Sequence, residues 1–168
     1  PTTGLLWSDV TYEMAAGGCG DGVVDDGEEC DPPDPFTCDE SCQFLPGNDC
    51  ADPIVIDLDT ELPYIQFNTT CNRRDAYNSG TCISGVPIPP GTGNFTAGED
   101  IIYELTTSQD ICLNIAVNGD IPDSSDFIGF AIDDACPPGL NCLAGSAGGS
   151  SEELPLEFLA LSAGTYYL

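Results

Sequence analysis

Residues 19–46 decide much of what this chain can become, because they hold four cysteines and very little to bury. Val23, Val24, Phe36, Phe44 and Leu45 are the only large apolar residues there, set among Asp, Glu, Gly and Pro. Such a segment cannot close an apolar core, so covalent links or ions must hold it. Six more cysteines follow, at 50, 71, 82, 112, 136 and 142. An even number at irregular spacings, with no histidine and no paired C-x-x-C motifs, argues for disulfides over thiolate metal sites. Disulfides persist in oxidising surroundings, so five bridges in a secreted, extracellular protein are expected. Cys136 and Cys142 enclose a short Pro-Gly turn, and Cys71 and Cys82 bracket another loop; Cys50 and Cys112 remain to join each other. Cys19, Cys30, Cys38 and Cys42 pair among themselves in one of three patterns that the sequence leaves open.

The charge narrows the function classes. Twenty-nine Asp and Glu stand against Arg73 and Arg74, for a net charge of −27. Nucleic-acid binding needs Lys and Arg to displace phosphate counterions, and that is excluded. An anionic membrane surface is also a poor match. No run of 18 apolar residues is present, so no membrane insertion is expected. Subunits this acidic repel one another, and close packing of copies would call for bound cations. The start at Pro1 reads as a mature or trimmed product that has lost its export signal.

Three regions follow from composition. Residues 1–16 hold a strand-like arm, Leu5 to Met14, with Leu6, Val10, Tyr12 and Met14 on one side. Trp7 sits on the polar side and needs a partner surface. Residues 17–46 form the cysteine-rich acidic module, and residues 47–168 a β-domain. Strands are predicted near 54–58, 64–68, 100–107, 111–118, 127–133, 155–161 and 164–168, with loops at 84–99 and 137–153. Ile111, Leu113, Ile115 and Val117 alternate with Cys112, Asn114, Ala116 and Asn118, which predicts a half-buried strand. The expected fold is all-β: a two-sheet antiparallel β-sandwich of jelly-roll or Ig-like type, with a small disulfide-rich N-terminal module.

The sharpest motif runs from Cys19-Gly20-Asp21-Gly22 through Asp25-Asp26-Gly27-Glu28-Glu29-Cys30-Asp31. Six carboxylates in thirteen residues, separated by turn-forming glycines, suit a hard oxygen-bound cation. Calcium is therefore the expected ion, with Asp21, Asp25, Asp26, Glu28 and Asp31 as ligands; the spacing is not that of an EF-hand. The motif C-G-D-G, four residues, G-E-E-C-D resembles the myxobacterial cysteine-rich repeats of secreted surface proteins. Asp31-Pro32-Pro33-Asp34 departs from that family's usual D-D-G-N continuation. A second likeness is carried by Asn48-Asp49-Cys50-Ala51-Asp52-Pro53-Ile54, Gly98-Glu99-Asp100-Ile101-Ile102-Tyr103 and Leu161-Ser162-Ala163-Gly164-Thr165-Tyr166-Tyr167-Leu168. It resembles the bacterial pre-peptidase C-terminal domain group, which implies a noncatalytic sandwich that binds polymers or aids secretion and anchoring.

In that group the closing strand runs on past the point where this sequence stops. A sandwich short of its last strand has an open edge, and the arm at 5–14 is a spare strand. Together they suggest strand exchange, with Leu6, Trp7, Val10, Tyr12 and Met14 of one subunit completing the next. A head-to-tail contact of that kind propagates into a filament, a homopolymer. Asn68-Thr69-Thr70 and Asn94-Phe95-Thr96 are glycosylation sequons, with Asn68 and Asn94 as acceptors. Catalysis is not expected: with no histidine and no lysine, the usual general base and amine nucleophile are missing. Two roles remain. One is an extracellular filament or surface subunit; the other is a noncatalytic accessory domain that grips glycans or another substrate for a larger secreted enzyme or adhesin.

Overall fold

The computed structural model describes residues 18–70, 73–75, 98–119, 127–137, 142–149 and 153–168. The chain divides into two compact units, Pro1–Phe44 and Leu45–Leu168. The arm at 1–16 and the loop at 84–97 lie outside the described residues.

In the first unit, Cys19 pairs with Cys42 and Cys30 with Cys38, which settles the open choice as a nested pattern. Cys30, Cys38 and Cys42 are buried with Phe44 packed against them, and sulfur supplies the interior that aliphatic residues cannot. Short antiparallel bridges, Asp34 to Cys38 and Cys38 to Phe44, are its regular backbone structure. Val23, Val24 and Phe36 stay exposed.

The second unit carries seven strands: β1 (Ile54–Asp57), β2 (Tyr103–Thr107), β3 (Ile111–Asn118), β4 (Phe127–Ile132), β5 (Ala144–Gly149), β6 (Glu153–Leu161) and β7 (Gly164–Tyr167). No helix occurs among the described residues. The strands form a three-stranded sheet in the order β1-β2-β7 and two ribbons, β3-β6 and β4-β5. One core joins them: Ile56, Leu58, Leu105, Leu113, Ile132, Leu161 and Tyr166, drawn from all three sheets. Ile132 is completely buried. Along β3 the expected alternation is present, with Leu113 buried, Ile111, Ile115 and Val117 half-buried, and the residues between them exposed.

Several expectations need correction. β1 pairs with β2 in parallel, Ile54 opposite Tyr103, so the sheets are not wholly antiparallel. Parallel neighbours need a long return connection, and residues 58–102 provide it. Residues 64–68 form no ladder and have no regular structure. The expected loop at 137–153 contains β5, paired with β4 from Phe127–Gly149 to Ile132–Ala144. Its sequence, Ala-Gly-Ser-Ala-Gly-Gly, has no β-forming side chain, and close approach of the partner explains why. A Cβ at Gly145 would lie 2.7 Å from the Phe130 carbonyl oxygen.

The disulfide map also differs. Cys50 bonds Cys136 rather than Cys112, tying the lead-in to β1 to the stretch after β4. That stretch bridges to Tyr167 through Asp133, and so lies in the same sheet system as β1. Cys142 is disulfide-bonded, but not to Cys136. Cys112 is a free, exposed thiol, because it sits on the wet side of β3 opposite Ala160. Cys71 and Cys82 lie outside the described residues.

β6 contains a bulge. Between the pairs Leu113–Leu159 and Ile115–Leu156, Glu157 and Phe158 face the single residue Asn114. Phe158 adopts φ 58° and stands 74% exposed. A bulky residue at positive φ costs about 1–3 kcal/mol. Asn114 offsets part of it, its Oδ1 accepting the Phe158 N–H at 2.8 Å. The bulge shifts the phase of β6, so that Leu154 and Leu156 on one side of it and Leu159 and Leu161 on the other all turn inward.

Candidate functional site

Six acidic residues of the first unit accept hydrogen bonds from nearby backbone amides. Asp31 reaches back to accept the N–H groups of Gly20 and Gly22, closing the loop next to the Cys19–Cys42 bridge. Both glycines hold positive φ, 96° and 91°, which directs their amides at one carboxylate. Asp21 accepts from Val23 N at 2.9 Å, and Glu28 from Asp25 N at 3.0 Å. Asp34 accepts from Phe36 N and Thr37 N, both at 2.8 Å, and from the Thr37 hydroxyl. Asp39 accepts from Ser41 N and Gln43 N, and Glu29 from Phe44 N. The recurring element is an Asp whose side chain caps the amide two residues on, an Asx-turn. In a segment without a ladder, carboxylates provide the acceptors that strands would otherwise supply.

That geometry decides what the five expected calcium ligands do. Among the described residues, one group of Cys, His, Asp or Glu converges closely enough for a metal: Cys19, Asp31 and Cys42. Its two sulfurs are joined in a disulfide and are not thiolates, so they are not available as ligands. Asp21, Asp25, Asp26 and Glu28 do not converge with Asp31 in that group. Of the five, Asp21, Glu28 and Asp31 cap backbone amides.

In the second unit the notable place is the return chain after β1. A turn closed by Thr60 N and Glu61 N on the Asp57 carbonyl sends the chain back. Residues 62–67 then follow, all of them exposed, and Asn68 is half-buried. The Tyr64 hydroxyl donates to Gln66 Oε1 within the segment, and Asn68 Nδ2 donates to Tyr103 Oη at 3.5 Å. Burial raises the Tyr64 phenol above its ordinary pKa, with the nearby Tyr103 and Glu61 adding to it. Ile65 and Phe67 face solvent, 81% and 89% exposed, and Leu62 is exposed beside them. β1 is the terminal strand of its sheet, and Val55 on it is also exposed.

Arg73 anchors this segment from below. It is 5% exposed; its Nε donates to Thr69 O at 2.9 Å, its Nη1 to Pro46 O at 3.1 Å and its Nη2 to Asn68 Oδ1 at 3.3 Å. Gly47 leaves room for it: with φ 100°, a Cβ there would come within 3.2 Å of Arg73 Nη1 and 3.0 Å of Ile54. A buried arginine holding three oxygens is a structural tie. The sequence signalled Arg73 only as one of two cations, and its burial was not legible from that. Arg74, more exposed, pairs with Asp49 at 3.7 Å.

The sequon residue Asn68 is thus half-buried, with its amide engaged by Tyr103, Arg73 and the Thr69 N–H. Asn94 lies outside the described residues, as do Leu6, Trp7, Val10, Tyr12 and Met14. An open depression of 390 Å³ is lined by Asp57, Asp59, Thr106, Thr107, Ser108, Gly164 and Thr165. Its acids are engaged too: Asp59 accepts the Thr107 hydroxyl at 3.0 Å and Ser108 N at 2.9 Å, and Asp57 accepts Asp59 N and the Thr60 hydroxyl. The Ser108 hydrogen bonds hold the Asp59 carboxyl below its ordinary pKa. No family model matches the sequence, and no curated protein or solved structure shows significant similarity to it.

Proposed function

We propose that this chain is a noncatalytic, extracellular structural subunit that assembles into a filament or surface array by strand exchange. The supporting observation is an open sheet margin. Among the described residues β1 ends its sheet, and the return chain after it leaves Leu62, Ile65 and Phe67 exposed. A monomeric protein normally blunts such a margin with charge or cover. The rest of the chain supports the same reading, since all but one of the described cysteines and several carboxylates, Asp31, Asp34, Asp39 and Asp59 among them, are engaged in holding the fold. Three described disulfides suit life outside the cell. The three small sheets around one core are read as the two layers of a β-sandwich. Calcium enters as a counter-ion between acidic subunits, because copies at −27 each must be screened to pack closely. Electron microscopy of the full chain tests the proposal: fibres are expected, they should thin out on chelation, and a chain deleted for residues 1–16 should stay monomeric.

A second reading, an accessory domain that grips a polymer, is favoured by Phe158. The β6 bulge holds that ring out to solvent on a face otherwise lined by small residues such as Cys112, Ala116 and Ala160. Pull-down on insoluble glycans, with Phe158→Ser as the control, separates this role from assembly.

A further inference from the structure

The assembly reading leaves open where a donor strand would seat, and the exposed, largely apolar segment 62–67 supplies the place. We propose that residues 5–14 of a second copy dock along 62–67, packing Leu6, Val10, Tyr12 and Met14 against Leu62, Ile65 and Phe67; this rests on the strand-exchange reading above.

The segment belongs to no ladder of its own, so an incoming strand displaces no existing pairing. Among the described residues no backbone hydrogen bond engages 62–67, and from Tyr64 to Phe67 every residue carries both an N–H and a carbonyl for a ladder with an incoming strand, Pro63 offering only its carbonyl. The end of the segment is tied to the body by the Asn68–Tyr103–Arg73 group, while Leu62, Ile65 and Phe67 stand exposed. Asp9, Thr11 and Glu13 alternate with the apolar residues of the arm, so one face of it is apolar and the other stays wet. Ten residues as a strand span about 33 Å and the six acceptor residues about 20 Å, so the arm covers the whole segment. Gly17-Gly18 separates the arm from Cys19 and supplies a flexible joint for reaching a neighbour. The segment itself holds no acid, with Glu61 at its edge, and it is therefore one of the few places where two such acidic chains meet without direct repulsion.

The test uses the full chain and the double variant Ile65→Ser/Phe67→Ser. Both side chains are exposed, so the melting temperature should match the parent. Sedimentation velocity should then show polymer formation weakened by about ten-fold or more in the double variant, and unchanged in Phe158→Ser. Hydrogen exchange should show 62–67 protected in polymer and open in the monomer. Equal polymerisation by parent and double variant would sink this docking site while leaving strand exchange standing. A parent chain that never polymerises would sink both. Protection of 62–67 in the monomer would assign the arm to its own subunit and overturn the intermolecular contact.

Discussion

The two units solve the same problem with different materials. The unit from Leu45 onward closes a core of Ile56, Leu58, Leu105, Leu113, Ile132, Leu161 and Tyr166, and its disulfide and turn contacts are additions to that core. The cysteine-rich unit has sulfur and one half-buried phenylalanine inside, and its shape follows from two bridges and a series of carboxylate–amide contacts. The same residue, aspartate, therefore has unequal importance in the two places. At Asp31 it gathers two amides of a loop that has no ladder, only a disulfide and two backbone bonds to Cys42, to hold it; at Asp59 it trims a turn between strands already held by their ladder.

The largest expected effect is a split response to reduction. Thiol reagent should unfold residues 18–44 outright, because no apolar core remains once the nested bridges open. The β-unit should keep its strands and lose about 4–5 kcal/mol from Cys50–Cys136 alone, the chain-entropy size for a bridge closing so long a loop, with the bridge at Cys142 adding to it. Limited proteolysis with mass spectrometry reads both at once. Simultaneous cleavage of both units on reduction would break the comparison.

The reverse experiment removes the core. Ile132→Ala should cost the β-unit about 3–4 kcal/mol, since the side chain is wholly buried and the cavity relaxes only in part. Hydrogen exchange at 18–44 should not change. A third variant probes the other frame: Asp31→Asn replaces a carboxylate that serves two amides by an amide that presents one acceptor. About 1–2 kcal/mol should be lost, confined to the cysteine-rich unit and measurable by denaturant titration of its exchange protection. If Asp31→Asn proved neutral, the disulfides alone would define that unit.

How far the sequence announced all this also differs between the units. The strands with strong apolar periods, β3 above all, stand where the pattern puts them, because one buried face fixes their register. β5 was hidden, since a strand of Ala, Gly and Ser takes its conformation from its partner β4, and Gly145 reads as a loop until its close contact is seen. Residues 64–68 misled in the opposite sense: the period of two is real, but its apolar side faces solvent and finds no ladder. In the cysteine-rich unit the acids were read as a cation site. The Asp-x-x spacing of Asp21, Asp34 and Asp39 was equally a signal for Asx-turns, and the side chains cap amides two residues on. The pairing of Cys50 was beyond reach, because it depends on how β7 brings the end of β4 beside the first sheet.

The smallest effect is the finest test of the contrast. Hydrogen bonds from Ser108 and Thr107 hold the folded Asp59 carboxyl below its ordinary value, so the folded state prefers the charged form. A depressed carboxyl contributes stability above the unfolded aspartate range, near pH 3.9, and loses it as pH falls through the folded value. Asp59→Asn should therefore melt slightly earlier at neutral pH and show a shallower decline in melting temperature from pH 5 to pH 2. Because the group is fully exposed, the difference should be small and should shrink with added salt. The exchange protection of residues 18–44 should be identical in parent and variant at every pH. A large effect would mean that turn caps bear weight in the β-unit too, and that its core is a weaker frame than the burial of Ile132 and Leu105 implies.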